Sequence, residues 1–321
     1  MSSRSIASAL VAIVVFGCTT VLAQLYPVKP IRLVVGFQAG GGVDLSARIV
    51  GRQLTDSLGQ SLIIDNKAGA SGNIASNFVA KAAPDGYTLL MAQSSIAMPG
   101  LFTNLPFNVS KDLDPISLIA IGPAVLVVPP SLPIRNMSEL IKLAKSKPRH
   151  LVYGSGGVGN ITHLQMELLA AMTGIELTHV PYKGSAPGVI ALVSGEIQML
   201  FASIPSALPH IKAERIRPIA VSTAKRSSTL PNIPSLDEAG LKGYDTATWY
   251  GLFAPANTPA AVRALLSREI VKTMRAPDVN DKFMNDGFEP VGNGADEFSK
   301  FLRTELVKWA KVIKAADIKA E

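Results

Sequence analysis

Apolar residues recur along this chain in two rhythms. Compact runs such as IRLVVGF (residues 31–37), SLIIDN (61–66), YTLLMAQ (87–93) and AVLVVP (124–129) read as buried strands. Between them, apolar positions return every three or four residues, as in LSARIVGRQLTDSLG (45–59), NMSELIKLAKSK (136–147) and ITHLQMELLAAMTG (161–174). That spacing puts one apolar stripe on each of several helices. Gly59 and Gly174 stand where helices should stop, and Asn136 or Ser138 where one should start. Strand alternating with helix predicts an α/β fold with mostly parallel strands.

One run looks long enough for a membrane, ISLIAIGPAVLVVPP (116–130), but Gly122-Pro123 breaks it and two prolines end it. It predicts two buried strands instead. The strand–helix grammar then restarts, with strands at 150–155, 176–182, 197–203 and 218–223. After a turn-rich stretch (231–243), residues 246–255 form another apolar strand, followed by amphipathic helices at 259–275 and 295–316. Those last helices have no new sheet to cover, so they should pack on the first one. The expected organisation is a discontinuous lobe of residues 24–122 plus 249–321, with a second lobe of residues 123–248 inserted into it. Two crossing strands, near Gly122 and Trp249, would make a hinge.

The first residues change the picture of where the chain works. Arg4, the apolar stretch Ile6 to Gly17 and the small residues of VLAQ (21–24) describe a signal peptide at 1–23, cut after Ala23. Cys18, the sole cysteine, closes a VFGC segment that partly fits a lipoprotein box, so an anchor at Cys18 is the alternative. A bacterial periplasm is the expected compartment. A cut after Ala23 leaves no thiol and excludes thiol chemistry. The formal charge is +7. Its densest runs, KLAKSKPRH (142–150) and KAERIR (212–217), carry no aromatics, which points to solvated helix faces and no nucleic acid partner. A mild positive field favours small anions.

Candidate chemistry gathers at glycines. Gly154, Gly156 and Gly159 have dinucleotide spacing, but the next strand ends in HVPYK without the acid that would hold a ribose. Glu176 sits at that strand's wrong end, and the chain has no phosphate-binding Gly-Lys-Ser/Thr loop. More telling, Gly40, Gly41 and Gly42 follow one strand and open one helix, and residues 156–159 repeat the arrangement in the other lobe. Residues 69–73 make a third such loop. Backbone N–H groups at a helix start bind anions without a basic side chain. Two such loops facing across a hinge would line one cleft. Asp44 is placed either to cap its helix or to meet a ligand amine, and His163 either to touch ligand or to pack. His150, His179 and His210 show no metal spacing, and Trp249 and Tyr250 fit core or hinge packing. Neither a Gly-x-Ser-x-Gly elbow nor an HExxH pair occurs, so no enzyme, cofactor or metal is expected.

The segments YPVKPIRLVVGFQAGGGVDLSAR (26–48), DNKAGASGNIAS (65–76), LVYGSGGVGNITHL (151–164), HVPYKGSAP (179–187) and WYGLFAP (249–255) closely resemble the periplasmic substrate-binding proteins of tripartite tricarboxylate transporters, the Bug family. The resemblance spans essentially the whole mature chain. It implies a two-lobed, type II-like Venus-flytrap binding protein, acting as a monomer, with a small carboxylate as ligand. Its partner would be a membrane permease, or a membrane sensor that reads the closed form. Carried over, the family's ligand loops point to Phe37, Gln38, Ala39, Gly40, Gly41, Gly42 and Asp44, to Ser71 and Ser94, and across the cleft to Ser155, Gly156, Gly159 and Asn160. His163, Tyr182 and Ser203 complete the set. Gln38 and Gly42 depart from the common pattern: Gln38 adds an amide to the loop, and Gly42 lacks a hydroxyl there.

Overall fold

The computed structural model describes residues 26–98, 105–315 and 318. The expected leader at 1–23, its cut after Ala23, and Cys18 lie outside these residues. The first half of the fold runs β1 (Ile31–Val35), α1 (Gly42–Leu58), β2 (Leu62–Asn66), α2 (Asn73–Ala80), β3 (Thr88–Gln93), α3 (Val109–Asp112) and β4 (Leu113–Gly122). The chain then enters a second unit: β5 (Ala124–Val128), α4 (Met137–Ser146), β6 (Val152–Ser155), α5 (Ile161–Thr173), β7 (Thr178–Pro181), α6 (Ser185–Ser194), β8 (Met199–Ser203), α7 (Ile204–Lys212) and β9 (Arg217–Val221). It returns through β10 (Thr248–Pro255) to α8 (Ala260–Met274), α9 (Pro277–Asn285), β11 (Glu289–Pro290) and α10 (Ala295–Ala315).

The two sheets have strand orders β11-β4-β10-β3-β1-β2 and β7-β6-β8-β5-β9. Pro123 separates β4 from β5, which lie in different sheets, and Thr248 at the start of β10 pairs with Gly122. These are the two crossings. Among the named strands, parallel pairing joins β1 with β2 and β3, and β6 with β7 and β8. The strands next to the crossings pair antiparallel, so each sheet is mixed and the expectation of mostly parallel strands is corrected. The cause is topological: β10 re-enters the first sheet beside β4, the strand by which the chain left it, and β5 lies antiparallel between β8 and β9.

Local chemistry explains the element ends. Gly59 closes α1 in the left-handed region (φ 68°), where a side chain would be strained. Asn136, rather than Ser138, caps α4: its side chain accepts from Glu139 N at 2.9 Å while Glu139 reaches back to Arg135 N at 2.6 Å. Helix α1 packs with α8 and α9 on one face of the first sheet, and α2 with α10 on the other. Ile161 and Leu164, from the first turn of α5, are buried in that second cluster, so the two units share an apolar seam. Among the described residues no helix is long and apolar enough to cross a membrane.

Candidate functional site

The carboxyl ends of β1 and β3 meet the start of α1. Helix α1 begins at Gly42, earlier than the expected Leu45, with Gly41 as its cap residue. Asp44 is therefore a first-turn residue and not the cap. Its buried carboxylate accepts from Gly40 N (3.0 Å), Arg48 Nε (2.9 Å) and Nη2 (3.0 Å), and Asn66 Nδ2 (2.9 Å). Burial opposes its charge, yet the hydrogen bonds from Arg48, Gly40 and Asn66 prevail and hold it below the usual carboxylate range. With its oxygens engaged, Asp44 shapes the loop and is not open to a ligand amine. The N–H groups of Gly41, Gly42, Val43 and Asp44 have no protein acceptor among the described residues. Four free donors at a positive helix end are an arrangement suited to an anion.

The opposite loop differs from expectation. Between β6 and α5, Gly156 N donates to Thr162 Oγ1 (2.9 Å), Gly157 N to Ser155 Oγ (3.1 Å) and Gly159 N to His163 Nδ1 (3.1 Å). Asn160 N donates to Gly157 O, and Thr162 N to Asn160 Oδ1 at 3.0 Å. Residues 156–160 are thus not an open cradle like the start of α1, because neighbouring side chains turn back and take these donors. What remain are Val158 N and the Asn160 side-chain Nδ2, neither with an acceptor among the described residues, although Asn160 is only 1% exposed. Facing α5 from the first sheet, Ser95 Oγ accepts from Ile161 N at 3.2 Å. Its neighbour Ser94 is fully buried, and the Ser94 hydroxyl has no partner among the described residues.

The lobes are closed on each other. Gln38 N donates to Lys183 O (3.2 Å), Ser71 Oγ to Val158 O, Ser206 Oγ to Gly40 O (3.4 Å) and, beside the hinge, Thr229 Oγ1 to Met284 O (2.8 Å). Among the described residues every ion pair lies within one lobe. A cavity of about 420 Å³ opens between the lobes, lined by Gly36, Phe37, Ser71, Gly157, Tyr182 and Lys183 among others. A larger one of about 500 Å³ lies behind the hinge and contains none of the expected site residues.

Of the remaining expected residues, His163 is packed. Its ring stacks on His179 at 4.2 Å, and burial lowers it to about 4, so it is neutral. The Ser155 hydroxyl is engaged by His179 Nε2 at 2.7 Å. The Tyr182 ring lies against Gly154 and Gly188. Phe37 touches Gly72 and Gly184, while Gln38 and Ala39 lie in the loop before α1, Gln38 joining the lobes through its backbone. Ser203 starts α7 and pairs with Ser206 at 2.8 Å. Ser95 and Ser206, which bond across the two lobes, and Thr162 and Ser185, which brace the second, were missed by sequence reasoning. Only Ser185 carried a signal, as the residue after Gly184 at a helix start. No group of three His, Cys, Asp or Glu residues that could hold a metal occurs among the described residues.

The family model described as "Tripartite tricarboxylate transporter family receptor" matches residues 46–318. The chain belongs to this family. BugT of Bordetella pertussis is 34% identical to this receptor over 302 residues, covering 93% of each chain. The solved structure of R. palustris Rpa4515 with adipate shares its fold at a TM-score of 0.89 and 36% identity, covering 92% of this chain and 99% of that one. MatC (Rpa3494) from Rhodopseudomonas palustris with bound malate follows at 0.85 and 28%, covering 90% and 100%. The receptor accordingly has the two-lobed periplasmic binding-protein fold. It binds a solute; it is not an enzyme.

Proposed function

We propose that the receptor is exported, cut after Ala23, and as a monomer traps a small carboxylate between a lobe of residues 24–122 plus 249–321 and a lobe of residues 123–248. The observation that supports this reading is that both lobes carry unmet donors, the first turn of α1 and the Ser94 hydroxyl in one and the Asn160 amide in the other. A carboxylate offers acceptors only and suits such a seat. Donors left unmet in a buried cleft cost free energy, which a bound anion recovers. Because the contacts come from both lobes, the ligand favours the closed state, and a membrane permease would read that closure. The ligands named for Rpa4515 and MatC, adipate and malate, are both dicarboxylates, which puts this class first.

Thermal unfolding of the mature chain, freed of carried-over ligand, against dicarboxylates, tricarboxylates, acidic amino acids, aromatic acids and NAD tests the reading. A ligand at 1,000 times its Kd adds about 4 kcal/mol, several degrees for a chain of this size. A shift with one carboxylate class is the expected result. A shift with NAD alone, and none with any acid, would overturn it.

A further inference from the structure

Gly42 has no room for a side chain: a methyl there would stand 2.1 Å from Tyr250 Oη and 3.2 Å from Ser203 Cβ. The space a side chain at Gly42 would need is thus bounded by the Tyr250 hydroxyl and by the second lobe's Ser203. Tyr250 lies on β10, two residues past the crossing, with its ring against Phe288 at 4.8 Å between centroids. It is 1% exposed, and its hydroxyl has no hydrogen-bond partner among the described residues. Burial raises the phenol's pKa, so it keeps its proton and can only offer a donor or a lone pair. The free N–H groups at the start of α1 offer it no acceptor, and the charge of Asp286 adds to burial in keeping the proton on. Ser203 and Ser206 hydroxyls are paired with each other.

We propose that Tyr250 is a specificity residue of the receptor, its hydroxyl donating to a ligand oxygen seated on the first turn of α1. This rests on the carboxylate-binding reading above and names a residue that sequence reasoning assigned to packing. Donors converge on the seat from α1 and from Tyr250, so it selects an ionised carboxylate over an amide, whose NH₂ would meet another donor. Gly42 is then required because the phenol fills the volume a side chain would take.

Calorimetric titration of the mature chain with adipate and with malate, and with the matching monoamides, supplies the test. For whichever diacid the wild type binds, Tyr250→Phe should raise Kd about 10- to 100-fold, the effect of one hydrogen bond to a charged group. It should also narrow the preference for diacid over monoamide, while leaving the melting temperature of the ligand-free protein unchanged. Gly42→Ala should cost more affinity in the wild type than in the Tyr250→Phe background, because the added methyl meets Oη. Binding by Tyr250→Phe within twofold of wild type would overturn the proposal and leave the carboxylate reading intact. So would a loss matched by an equal fall in ligand-free stability. Should the wild type bind another carboxylate instead, the same variants are titrated with that acid and its amide; if it binds no carboxylate, the carboxylate reading falls and takes the role of Tyr250 with it.

Discussion

Replacing His163 should flatten the acid limb of the receptor's stability curve. Its imidazole is buried, its Nδ1 accepts the Gly159 N–H, and its ring is sandwiched against His179. Among the described residues the carboxylate in reach is Glu167, 3.9 Å from Nε2 and occupied by the Tyr153 hydroxyl at 2.5 Å. Burial lowers His163 from its ordinary 6.5 to about 4, a gap worth about 3 kcal/mol. Between those values the unfolded chain binds a proton that the folded chain refuses. Stability from this residue is therefore full above pH 6.5, falls as the pH drops, and is gone below about 4. Urea unfolding at pH 7 and at pH 4.5, on wild type and His163→Gln, isolates the effect. Glutamine keeps an acceptor for Gly159 and carries no proton-dependent charge. Carboxylates that titrate in the same range cancel between the two proteins. The wild type should lose about 2–3 kcal/mol more than the variant over this interval. Parallel losses would show that His163 is not held neutral by its surroundings, and the reasoning would fail.

Asn160→Asp separates folding from binding. The aspartate still accepts from Thr162 N and favours the helix start, so the melting temperature should hold within a few degrees. The unpaired amide donor is replaced by an anion facing the ligand, and carboxylate affinity should fall more than about tenfold by titration calorimetry. Glu305→Ala tests the junction of the last helix with the crossing strand. Glu305 accepts from both tryptophans of the chain, Trp249 Nε1 at 2.9 Å and Trp309 Nε1 at 3.1 Å, all of them buried. Two orphaned indole donors should cost about 2–5 kcal/mol in urea unfolding; Glu305→Gln, which retains an acceptor, should lose clearly less.

Much of the fold was legible because it is written in local rhythm. Residues 31–37 and 161–174 became β1 and α5 with ends marked by glycine and asparagine. Helix α7 was missed because Pro205 and Pro209 read as loop, though one lies in the first turn and the other bends only the end. Helix α9 was missed because Val279 and Phe283 are its only buried residues, too few to set a period. The free N–H groups at the start of α1 were legible from its glycines. The filling of residues 156–160 was not, since nothing along the chain shows Thr162, Ser155 and His163 turning back onto their own loop. Likewise the missing side chain at Gly42 looked like a lost contact, when the space belongs to Tyr250 from the far end of the chain.

Backbone amide exchange, followed with and without a dicarboxylate that stabilises the protein, bears most directly on the clamp between the lobes. Slowed exchange is expected together at Gly41, Gly42, Val43 and Asp44, in the segment after β3 that holds Ser94, and at the start of α5 around Asn160. Protection confined to one lobe, or centred on the cavity behind the hinge, would contradict it.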